Sequence, residues 1–119
     1  MKTFTSLFTV LTLATALPLF AADNAKPTQK EIKGEIVDLA CYGDHGASGE
    51  KHASCAAKCI GSGLPVGIKS ADGKVYLVIG EHKPLNKELA PYAGKTVTLR
   101  GKAVSRSGVN LLENAVIVK

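Results

Sequence analysis

The sequence predicts a mainly β domain, a small barrel of five strands with one helix inserted between strands one and two and a short helical connector before the fourth strand. Three observations predict it. Several stretches alternate apolar and polar residues with period two, Ser70-Ala71-Asp72-Gly73 and Ser105-Arg106-Ser107-Gly108 interrupt them as hairpin turns, and one alanine-rich stretch after the first strand lacks the alternation. The chain of 119 residues is 45% hydrophobic and 21% charged, which suits one domain.

The first element reads as a leader. Lys2 supplies a positive start, Leu7 to Phe20 is an apolar run broken by threonines and Pro18, and Ala21-Ala22 offers small residues for a signal peptidase. Residues 1–22 are therefore expected to be a secretory signal peptide, leaving about 97 residues, a size that buries one small core only marginally. The run is shorter than a membrane span needs, and no cysteine stands at the cleavage point for lipid attachment, so the expectation is a soluble exported protein, periplasmic or secreted, without a stable anchor. All three phenylalanines lie in that leader and there is no Trp. The core that remains must be aliphatic.

Residues 23–30 are polar and aperiodic, a flexible lead-in. The domain, residues 31–119, opens with strand one from Glu31 to Cys41, where Ile32, Gly34, Ile36 and Ala40 share a face. Gly43-Asp44-His45-Gly46 makes a bend, and Ser48 is positioned to cap a helix from Glu50 to Ile60 that Gly61-Ser62-Gly63 stops. Leu64 to Lys69 and Lys74 to Ile79 form a hairpin about Asp72-Gly73. Gly80 to Gly94 holds two prolines and a turn of helix around Asn86 to Ala90, after which Lys95 to Val104 and Val109 to Val118 close the fold.

The stretches GEIVDLACY, GLPVGIKSADGKVYLVIG and YAGKTVTLRGKAVSRSGVNLLENAVIVK resemble small exported bacterial OB-like domains. That resemblance implies a barrel and a binding face but no substrate. The departure from the plain pattern is the Cys/His insertion at residues 41–61.

Cys41, His52, Cys55 and Cys59 form the pattern C-x10-H-x2-C-x3-C. The last three lie three and four residues apart, so a helix places them in one stripe, and the short loop lets Cys41 fold back over them. Three thiols and an imidazole are a Cys3His set, which holds Zn²⁺ tetrahedrally and also suits Cu⁺. His45, four residues after Cys41, is a substitute donor; His82, between Glu81 and Lys83, reads as surface. Two other readings stay open. In an oxidising compartment Cys41 would pair with Cys55 or Cys59 and leave a spare thiol. Alternatively, Lys51 and Lys58 would lower a thiol pKa, with His52 a base for Cys55, in a thiol-disulfide protein.

Asp38 interrupts the apolar face of strand one and is expected at an edge open to water, with orientation of a ligand histidine as the functional alternative. Tyr42 either covers the site or fills the core. No phosphate-loop, nucleophile-elbow or H-E-x-x-H pattern occurs, so the expected role is binding rather than catalysis. The net charge of +5 is spread singly among acids and aromatics are few, which speaks against nucleic acid. The expected partners are a metal-donor, metal-acceptor or redox protein; the third function class is a disulfide-pinned module whose barrel face binds a peptide or oligosaccharide.

Overall fold

A computed structural model describes residues 27–118; the expected leader lies outside the described residues. Strands β1 (Thr28–Asp38), β2 (Val66–Ser70), β3 (Val75–Val78), β4 (Thr96–Arg106) and β5 (Val109–Val118) close a barrel in the order β1-β2-β3-β5-β4. The arrangement is compatible with an OB-like barrel. Helices α1 (Leu39–His45) and α2 (Ala53–Gly61) lie between β1 and β2, and α3 (Asn86–Leu89) lies before β4.

Closure depends on β1, which pairs antiparallel with β4 over Thr28 to Glu35 and with β2 over Gly34 to Asp38. The expected lead-in is thus shorter, because Thr28, Gln29 and Lys30 pair with Ala103, Lys102 and Gly101 and their backbone groups are satisfied as a strand. A short parallel pairing of Leu77 and Val78 with Leu111 and Leu112 joins β3 to β5. At Gly101 the register of β4 on β5 shifts, and the bulge lets the long strand curl around the barrel. The β4–β5 turn contracts to Ser107-Gly108, both with positive φ (51° and 83°), the two-residue connection whose twist matches its strands.

Ile32, Ile36, Ile68, Val78, Leu99 and Leu112 fill the interior, as the alternation predicts. Ile60 of α2 and Leu89 of α3 are buried in the same cluster, so the two helices plug the barrel. Asn86 Nδ2 fixes them together by donating to the carbonyls of Ile60 (2.8 Å) and Leu64 (2.7 Å) at the end of α2. Among the described residues no helix is long and apolar enough to cross a membrane.

The insertion differs from the expectation. Strand one ends at Asp38, and Cys41 belongs to α1 rather than to a strand. Asp38 is the cause: its Oδ1 accepts from the Ala40 N–H (3.1 Å) and its Oδ2 from the Cys41 N–H (3.3 Å), satisfying two donors that open a helix. Gly46, at φ 71°, closes α1 with its N–H on the Tyr42 carbonyl. Ser48 caps nothing; the chain turns through Gly49 into a single 3-10 turn at Glu50–His52, and the α-helix begins at Ala53.

Candidate metal centre

Three segments meet at the end of β1. Asp38 terminates the strand, Cys41 lies in the first turn of α1, and Cys55 and Cys59 stand one turn apart on α2. The ligand atoms of Asp38, Cys41 and Cys59 all lie within 4.8 Å of one another. Two sulfurs bound to one cation at about 2.3 Å are at most about 4.6 Å apart, so this spacing needs little adjustment to hold an ion. Neither Cys55 nor His52 belongs to that innermost group.

Asp38 is 2% exposed, which corrects the expectation of an edge open to water. Burial is tolerable because its two oxygens are spent on the cap of α1, and the same carboxylate takes a hydrogen bond from the Cys41 thiol. That hydrogen bond, then desolvation and the carboxylate's charge, push the Cys41 thiol from 9.0 up to about 12. Desolvation, followed by the charges of Asp38 and Cys55, also raises Cys59. These shifts run opposite to the lowering that the alternative thiol-disulfide reading assigns to Lys51 and Lys58. Both shifts favour the protonated, poorly nucleophilic thiol at neutral pH, and a cation held there would have to displace those protons.

Cys55 is exposed, and together with Cys41, His45, His52 and Asp38 it lines a cleft of about 30 Å³. Of the histidines, His45 sits in the last turn of α1, its side chain 58% exposed and its Nδ1 3.2 Å from Asp44 Oδ2. His52 ends the 3-10 turn, exposed at the cleft mouth. His82 is exposed in the turn before α3, at φ 54°. Tyr42 is half-buried beneath Lys69, whose Nζ stands 5.4 Å from the ring centre. All three cysteines are free thiols.

Sequence reasoning missed Glu35. Its carboxylate reaches from β1 to accept the Gly49 N–H and pairs with Lys69 Nζ at 3.5 Å, tying the loop before His52 to the barrel wall. Gly94 does the same by close approach, since a Cβ there would stand 2.8 Å from Ala53 Cβ and 3.0 Å from the Gly49 carbonyl. Alternation could flag neither residue, because both act on chain distant in sequence. Asp38 carried a readable signal, an Asp one residue before the helix it caps.

The comparisons with known proteins give no match: no family model, no curated protein and no solved structure resembles the chain closely enough to lend it a function.

Proposed function

We propose that this protein is an exported binder of a soft or borderline cation, Zn²⁺ or Cu⁺, serving a structural, delivery or sensing role. Cys41 and Cys59 are its inner ligands, with Cys55 and His52 completing the set and Asp38 anchoring Cys41. The observation that carries the reading is the convergence of the Asp38, Cys41 and Cys59 donor atoms within 4.8 Å, where two thiols meet from separate helices. Thiolates prefer such cations, and a small aliphatic core gains from a bond that ties α1 to α2.

Elemental analysis combined with thiol titration tests this. Natively purified protein is expected to carry about one metal per chain with its thiols protected, and His52→Ala to lose retention by about tenfold or more while His82→Ala retains it. The same proximity of Cys41 and Cys59 supports a second reading, a disulfide pinning the two helices. Metal-free protein with one disulfide and one titratable thiol would establish that reading and overturn the first.

A further inference from the structure

The three thiols are not equivalent in access. Cys41 and Cys55 both line the cleft, but Cys41, like Cys59, is half-buried and lies with Asp38 at the end of β1, while Cys55 is exposed one helical turn from Cys59. On α2 the rise from Cys55 to Cys59 is about 6 Å, a single step for a coordinated ion. The cleft opens to solvent where Cys55 is exposed, so the donor atom of an incoming carrier reaches that thiol first.

We propose that the thiols divide the handling of a cation in transit: Cys55 receives and surrenders it at the open mouth, and Cys41 and Cys59 retain it within. This route rests on the metal reading above. The partner it fits is a carrier protein that presents the cation on thiolate or thioether donors, the first of which yields to Cys55. In the first exchange the Cys55 Sγ–metal bond forms as the thiol proton passes to water and one carrier–metal bond breaks. Bonds to Cys59 and Cys41 then form with one further proton released at each, and the last carrier donor leaves. The cation keeps its oxidation state throughout, so the sequence needs no oxidant or reductant. Run backwards, with protons taken from water, it delivers the ion.

The experiment loads wild type, Cys55→Ser, Cys41→Ser and Cys59→Ser anaerobically with Cu⁺ supplied as its acetonitrile complex, and in parallel with Zn²⁺. Loading is followed by thiolate-to-metal ultraviolet absorption, and affinity is measured by competition with a chromophoric chelator. Because Cys55 is exposed, serine there does not disturb packing, and circular dichroism checks each variant's fold. Cys55→Ser is expected to load about tenfold more slowly yet hold the ion within about tenfold of wild type, whereas Cys41→Ser and Cys59→Ser lose more than about 100-fold in affinity, beyond the loss of an outer contact. Unchanged loading in Cys55→Ser, or a loss of affinity equal to that of Cys41→Ser, overturns the route and leaves the metal reading standing. Wild-type protein that retains neither ion overturns both.

Discussion

Asp38 uses one carboxylate for two purposes, opening α1 and holding the Cys41 proton. The two can be partly separated by Asp38→Asn, whose one side-chain oxygen keeps one of the two cap bonds while the negative charge is gone. The Cys41 pKa in this variant is expected to fall from about 12 toward the ordinary thiol value, and a thiolate absorption titration of metal-free protein reads the shift directly. An unchanged titration curve would remove Asp38 as its cause. The sign for stability follows from linkage. As pH rises from 9.0 toward about 12, the unfolded chain releases the Cys41 proton before the folded one does, so the metal-free fold is destabilised across that window, and Asp38→Asn less so. In the sequence this residue looked like a polar break in an apolar face. It is instead the point where period two gives way to a helical turn, and the preference of Asp for that position was the clue available.

The strands were the most legible elements, because each buries one face in a single core: Ile32 and Ile36 in β1, Leu99 in β4 and Leu112 in β5 repeat at the spacing a barrel wall demands. The hairpin at Asp72-Gly73 was equally legible, as Asp72 Oδ1 takes the Lys74 N–H at 2.9 Å and Gly73 supplies φ 83°. Helix α1 was hidden by Gly43, a poor helix former inside its seven residues, and what sustains it is capping at both ends. The start of α2 was misplaced because its position is set by contacts across the fold, through Glu35 at Gly49 and Gly94 at Ala53. A prediction belongs to this packed joint. Gly94→Ala, at φ 73° and with its new Cβ in the path of α2, is expected to destabilise the protein by about 1–3 kcal/mol in a denaturant titration. A midpoint equal to wild type would show that the contact between Gly94 and α2 yields freely.

At the scale of the molecule, one aliphatic core bears the whole architecture, with Ile60 and Leu89 contributed by the helices and Leu112 at its centre with no exposed surface. Leu112→Ala is expected to cost about 2–5 kcal/mol, a large share of what a domain this small possesses. The melting temperature should drop by roughly 4–8 °C for each kcal/mol lost, and a drop of only a degree or two would mean the cavity collapses. Among the described residues, the order β1-β2-β3-β5-β4 returns to its starting strand, and the narrowest join is the two-residue pairing of β3 with β5. So closed a wall leaves little edge for a foreign strand, and a visitor engages mainly side chains. The two helices bearing the sulfurs are the natural quay.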